Sequence, residues 1–272
     1  TSYAVTSQPD LKSTSAQSKA TLEIVKTLDK RHFVDLLIND DLSVRFLDNY
    51  IDRLDPTKSY FLQSDINDFK QKQTLLDDEL KKGSNTIGFE IYSRLKNKMS
   101  ARLQKLITEL EHTPFSIDFT TDEELLIDNS VSLWPQNESE ADDLWRKRVK
   151  SYFLTQKLSG ETIEESRTKL LKRYSDQYER LQKNTAEDIY EVYINSFTEL
   201  YDPHTNYFSP RSSESFAIRM SLSLEGIGAV LQLEDGYTKV VRIVTAGPAD
   251  KQGQLKASDR ISGVAQGEDG EM

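Results

Sequence analysis

Ser221-Leu222-Ser223-Leu224-Glu225-Gly226-Ile227-Gly228-Ala229-Val230-Leu231-Gln232-Leu233 is the stretch at which the chain changes character. Of 11 glycines, only Gly83, Gly88 and Gly160 precede it, and the other eight lie in the last 52 residues. Aromatic residues do the reverse: after Phe216 only Tyr237 remains. Glycine weakens helices and supplies turns of positive φ. The composition therefore reads as helical before about residue 221 and β-rich after it, in a mainly α chain; the domains are placed at 1–212, a multi-helix domain, and 213–272, a small β module.

Upstream of the switch, apolar residues recur with helical period. Ile24, Val25, Leu28, Phe33, Leu36 and Leu37 define one face of a helix predicted to run to about Ile38. Phe46, Leu47, Tyr50, Ile51 and Leu54 define the next, with Asp40 or Asp41 as N-cap and Asp55-Pro56 as its stop. Ser64 caps a third helix carrying Ile66, Phe69, Leu76 and Leu80, ending near Gly83. A long fourth carries Ile91 through Leu110 and stops before Pro114. Phe115, Ile117 and Phe119 alternate, the pattern of a short extended piece, and Trp134-Pro135 marks a turn. Helical pattern returns with Leu144, Trp145, Val149, Tyr152 and Phe153. Thr162-Ile-Glu-Glu165 and Thr185-Ala-Glu-Asp188 are capping boxes opening two further helices.

Composition excludes several functions. Net charge is −10 and the pI about 5.0, a poor match to phosphate, because nucleic-acid binding needs lysine and arginine to neutralise it. Nucleic acid is thus not an expected partner. With no cysteine, disulfides, zinc–thiolate sites and cysteine nucleophiles are all absent. His32, His112 and His204 are far apart and in no ligand spacing, so neither a metal nor a cofactor is expected. Among them His204 is the most interesting, although a hydrogen-bonded turn accounts for it. No run approaches the ~20 apolar residues of a transmembrane helix, and Thr1–Pro9 reads as no signal peptide. The acidic clusters Asp122–Glu124 and Glu138–Asp143 suit helix starts, where the macrodipole favours negative charge. Neither a G-x-S-x-G nor a phosphate loop occurs, and no catalytic residue is assigned. Asp55-Pro-Thr-Lys-Ser-Tyr-Phe61 echoes Asp202-Pro-His-Thr-Asn-Tyr-Phe208; shared helix-stop chemistry explains the echo.

Past the switch, Val230–Leu233 and Tyr237–Val244 read as strands joined by the hairpin signal Asp235-Gly236. Gly247-Pro248-Ala249 opens a short helix, and Leu255…Asp259-Arg-Ile261 follows. A glycine loop entering a strand can aim successive N–H groups at an anion such as a peptide carboxylate, while the strand edge accepts the peptide. An ordinary glycine-turn hairpin explains the loop alone; the whole run of segments favours peptide binding.

That run resembles the PDZ domain of carboxy-terminal processing proteases. Asp202–Pro210 followed by Met220–Gln232 resembles more narrowly the tail-specific proteases of Gram-negative bacteria, as do, more loosely, the upstream helices with Trp134-Pro135 and Leu144-Trp145. The resemblance implies a partial PDZ-like module and the substrate-handling part of a periplasmic serine endopeptidase acting on proteins with apolar C-terminal tails. Its serine and activating lysine would lie beyond Met272, so this chain alone would be inactive. Peptide binding then falls to Gly226, Ile227, Gly228 and Ala229, with Val230, Leu231 and Gln232 as docking strand. Ile227 and Val230 would touch the tail, whereas Leu255 and Ile261 would support the module's core. The resemblance implies protein substrates as partners, with a periplasmic adaptor as a second candidate. The alternative reading is a non-enzymatic periplasmic peptide-binding scaffold. The segment after Gly263 is expected to be mobile.

Overall fold

The structure, a computed structural model, describes residues 11–112, 115–129, 131–221, 226–234 and 237–264. It is mainly α, with ten helices and one three-stranded antiparallel sheet among these residues. The chain divides into two compact units between Ser209 and Pro210.

The first unit holds α1 (Ser15–Arg31), α2 (Asp40–Leu54), α3 (Gln63–Lys70), α4 (Leu76–Lys82), α5 (Thr86–Glu111), α6 (Glu138–Leu158), α7 (Ile163–Lys183) and α8 (Ala186–Thr198). Two apolar cores form around them. Phe46, Leu47, Tyr50 and Ile51 of α2 meet Ile87–Leu95 of α5 and Tyr190–Phe197 of α8 in the first. Leu103, Leu106 and Leu110 of α5 meet Trp145, Phe153 and Leu170 in the second. The 26 residues of α5 rise about 39 Å, so this one helix serves both cores. Tyr60 packs against both as well; its ring lies 5.3 Å from that of Trp145, and burial pushes its pKa up to about 12.

Both capping boxes form: Glu165 N–H donates to Thr162 and Asp188 N–H to Thr185. Elsewhere the local signals are overridden. Asn39, one residue before the predicted Asp40, caps α2 by accepting from Leu42 N–H. The predicted third helix is two, α3 and α4, separated by residues 71–75. The helix predicted to reach Ile38 stops at Arg31, leaving Phe33 98% and Leu37 78% exposed. The cause is His32, whose Nδ1 accepts from Val34 N–H and whose Nε2 lies 2.9 Å from both Asp202 Oδ2 and Thr205 Oγ1. Asp122–Glu124 begins no helix; it lies in irregular chain, where Glu123 pairs with Arg146 and Lys150.

Gly88 lies inside α5 because the Tyr193 ring rests on it. A Cβ there would sit 2.8 Å from the ring's Cγ and closer still to Cδ2 and Cε2. Tyr193 is fully buried among Phe46 and Tyr50 and has no space to retreat. Although alanine is the better helix former, Gly88→Ala is expected to lower stability by about 1–3 kcal/mol, the range for overpacking a filled core. Urea unfolding followed by circular dichroism measures it.

The two Asp-Pro turns share neither a helix stop nor a bonding scheme: Asp55 is the C-cap of α2, whereas α8 already ends at Thr198 with Glu199 as its cap. Asp55 lies buried and accepts N–H donations from Ser59, Tyr60 and Phe61 at 2.9–3.0 Å. Asp202 accepts from the Thr205 hydroxyl, His204 N–H and His32. Those bonds hold its pKa at about 2, down from 3.8, the Thr205 hydroxyl contributing most. A depressed carboxylate stabilises above its unfolded pKa, and the contribution fades as pH falls towards the folded one. The Thr205 and His204 amide signals are therefore expected to move together between about pH 4 and pH 2, and Asp202→Asn should remove that transition from an NMR titration.

The second unit holds α9 (Pro210–Met220), β1 (Ala229–Glu234), β2 (Tyr237–Ile243), α10 (Pro248–Gln252) and β3 (Arg260–Ile261). The strands run in the order β1-β2-β3. Asp235-Gly236 lies outside the described residues, but Glu234 and Tyr237 on either side of it pair directly. The segment from residue 265 onward, predicted mobile, lies outside them too.

Candidate functional site

Gly226–Ala229 leads into β1 and sits against the start of α10. Two main-chain bonds fix it: Ala249 N–H donates to Ile227 C=O, and Val244 N–H to Gly228 C=O, both at 2.8 Å. Gly228 has φ +76°, and its Cα faces Gly247. A Cβ on Gly228 would meet Gly247 Cα at 3.1 Å and Pro248 Cδ at 2.9 Å. The approach needs glycine on both sides, and Pro248 at the first turn of α10 needs no N–H donor of its own.

This arrangement orients the neighbouring N–H groups. A trans peptide points its N–H opposite its C=O. With the carbonyls of Ile227 and Gly228 held towards Ala249 and Val244, the N–H groups of Gly228 and Ala229 face the opposite way. The ladder continues the pattern. Gly228 bonds β2, so Ala229 turns away from it. A β-bulge follows Val230. Leu231 then pairs with Val240, whose own main chain bonds Ser258 and Asp259 on the far side. Ala229, Leu231 and Leu233 thus present their main chains along the outer edge of β1, which has no neighbouring strand among the described residues.

Side chains complete the surroundings. Ile227 is half exposed and lines a depression of about 470 Å³ with Pro248, Ala249, Gln252, Gln254 and Leu255. Leu255, expected only to support the core, borders this depression. Val230 is half-buried, and Leu231 and Gln232 are exposed. Glu234 pairs with Lys239 at 2.7 Å across the ladder, which holds the glutamate's pKa below its ordinary value. Chemically, the loop offers two successive N–H donors to an anion and a strand edge to an extended chain. The seven sequence-selected residues, Gly226 to Gln232, are contiguous here. Gly247 and Pro248, which clamp the loop, were not selected; a glycine-proline step just after a returning strand was the available signal.

No helix among the described residues is long and apolar enough to cross a membrane. No group of three or more potential metal-ligating side chains is found among them. His204 lies in an exposed turn; His32 is the histidine with side-chain partners.

A mainly α domain leading into a glycine-clamped β edge defines the class, and comparison with known proteins makes it specific. Residues 24–211 match the family described as tail specific protease N-terminal domain. The chain is also 36% identical over 248 residues to the tail-specific protease of Haemophilus influenzae (strain ATCC 51907 / DSM 11121 / KW20 / Rd), covering 91% of this chain and 35% of that protein. The chain belongs to the tail-specific protease family, as its N-terminal region. It spans about a third of the length of that curated relative.

Proposed function

We propose that this chain is the substrate-handling region of a periplasmic serine endopeptidase that acts on proteins with apolar C-terminal tails. The outward N–H groups of Gly228 and Ala229 take the tail carboxylate. The outer edge of β1 pairs with the tail main chain, and Ile227 with Val230 contacts its apolar side chains. The reacting serine and its lysine belong to the remainder of the parent protein, so this chain alone binds tails without cleaving them.

One observation carries the reading: two main-chain bonds and a glycine–glycine contact hold successive N–H groups outward beside a strand edge that has no neighbour among the described residues. A plain hairpin needs no such clamp. Fluorescence anisotropy tests it with a labelled peptide ending in Val-Ala-Ala and its C-terminally amidated twin. Losing a charge-assisted hydrogen-bond pair costs about 1.5–3 kcal/mol, so the amide is expected to bind at least about tenfold more weakly. Equal affinity of the two peptides would remove carboxylate capture.

A further inference from the structure

We propose that the helical unit carries a second peptide groove, built from the extended segment Phe115–Phe119 and the cleft beside it between α5 and α6, which takes an extended internal segment of polypeptide. The inference rests on the reading that this chain handles protein substrates, but it needs neither a free C-terminus nor the β module.

The segment has the side-chain pattern of a strand. Phe115, Ile117 and Phe119 are half-buried, whereas Ser116 and Asp118 are exposed. Phe115 stacks on Phe153 at 5.2 Å, and Lys157 lies over Phe119 at 4.8 Å. Yet no strand neighbours it among the described residues, and no main-chain N–H or C=O of Phe115–Phe119 bonds to any described group. Asp118 secures the end of the segment by accepting from Thr120 N–H and the Thr120 and Thr121 hydroxyls. A stretch whose burial alternates like a strand's, with no main-chain partner among the described residues, is a template for an added strand.

Beside it opens a cleft of about 730 Å³, lined by Phe115–Asp118 and floored by Leu106, Trp145 and Val149. That volume falls within the range of ligand-sized pockets. The rim is charged but compensated. The lining sets Arg102, Lys105, Arg146 and Lys150 against Glu109, Asp118, Asp142 and Asp143, with Arg102 and Lys105 paired to Asp142 and Arg146 to Asp143. A phosphate-bearing ligand would need uncompensated cations there. An apolar floor, a neutralised rim and main-chain groups without partners among the described residues instead suit an extended chain with alternate apolar side chains, whatever its net charge.

The probes are two labelled ten-residue peptides, acetylated and amidated, one alternating valine with lysine and one alternating valine with glutamate. Both are expected to bind the 272-residue chain with affinities within about threefold, because the rim carries no net preference. N-methylating alternate residues removes the peptide's N–H donors while leaving the protein unchanged, and is expected to weaken binding at least about tenfold, as loss of hydrogen bonds to an otherwise unpaired edge should. Val149→Glu in the cleft floor is expected to weaken binding comparably. No binding, or equal binding of the N-methylated peptides, overturns the proposal. Concentration-dependent dimerisation that the peptides fail to compete away also overturns it, by giving the edge to a second copy. If the tail peptide binds through its carboxylate and the amidated probes do not, the groove falls and tail capture stands. If the amidated probes bind and the tail peptide gains nothing from its carboxylate, the groove stands and tail capture falls.

Discussion

Gly228→Val is expected to weaken tail binding roughly 100-fold and release the loop, while leaving the helical unit folded. Gly228 has φ +76° and faces Gly247 Cα at 3.1 Å and Pro248 N at 3.1 Å from an added Cβ. Both obstacles are main chain, so neither rotates away. A left-handed conformation costs an L-residue about 1–2 kcal/mol, and a β-branched side chain against fixed atoms adds about 1–3 kcal/mol. The loop escapes by flipping the 227–229 peptides, which breaks the Ala249-to-Ile227 and Val244-to-Gly228 bonds and turns the outward N–H groups away. A loss of about 3 kcal/mol corresponds to roughly 100-fold in peptide affinity. Hydrogen exchange separates this from general unfolding: protection at Ala249 and Val244 is lost, and protection in α5 is retained. Gly226→Ala is the comparison, since a Cβ there meets nothing within 4 Å and both protected amides should persist. A Gly228→Val chain that binds the tail peptide normally would show that the clamp has no part in binding.

The contrast between these glycines shows which parts of the architecture were legible in the sequence. Short-range chemistry was: Thr162 with Glu165 and Thr185 with Asp188 cap helices three residues away, and both caps form. The alternation of Phe115, Ile117 and Phe119 was legible too: their side chains are half-buried and those of Ser116 and Asp118 exposed, although no strand forms there. What escaped depends on partners distant in sequence. Phe33 and Leu37 keep helical period, but His32 is held by Asp202, 170 positions away, and the helix ends. Asp122–Glu124 resembles a helix start, yet Glu123 pairs with Arg146 and Lys150 on another element. At the candidate site, a loop of glycines could be read directly. Its clamp could not, because which of the seven other late glycines faces Gly228 is decided by the turn after β2, and which edge of β1 lacks a neighbour among the described residues is decided by strand order.

Asp55→Ala is expected to be the most destabilising single substitution in the helical unit, costing about 3–5 kcal/mol, the scale for stranding buried polar groups that shared one charged partner. The carboxylate is fully buried, and its two oxygens accept three consecutive N–H groups, from Ser59, Tyr60 and Phe61. Alanine leaves those donors with neither water nor a replacement. The damage would spread through what the turn positions. Trp145 Nε1 donates to Ser59 C=O at 2.9 Å, and Arg148 donates to Thr57 C=O at 3.0 Å; burial lowers the Arg148 pKa and Asp55 opposes that shift. Tyr60, carried on the same turn, touches both apolar cores. Loss of Asp55 should therefore loosen α6 from the turn, visible as a change in Trp145 fluorescence at urea concentrations where far-ultraviolet ellipticity is still native. Asp55→Asn, which keeps one acceptor oxygen but turns an NH2 towards N–H donors, should fall between alanine and the native chain. Asp202→Ala is expected to cost less, because its turn lies at the surface and water can replace the lost acceptor. Equal losses at Asp55 and Asp202 would mean that the shared Asp-Pro sequence, and not the buried three-donor geometry, sets the energy.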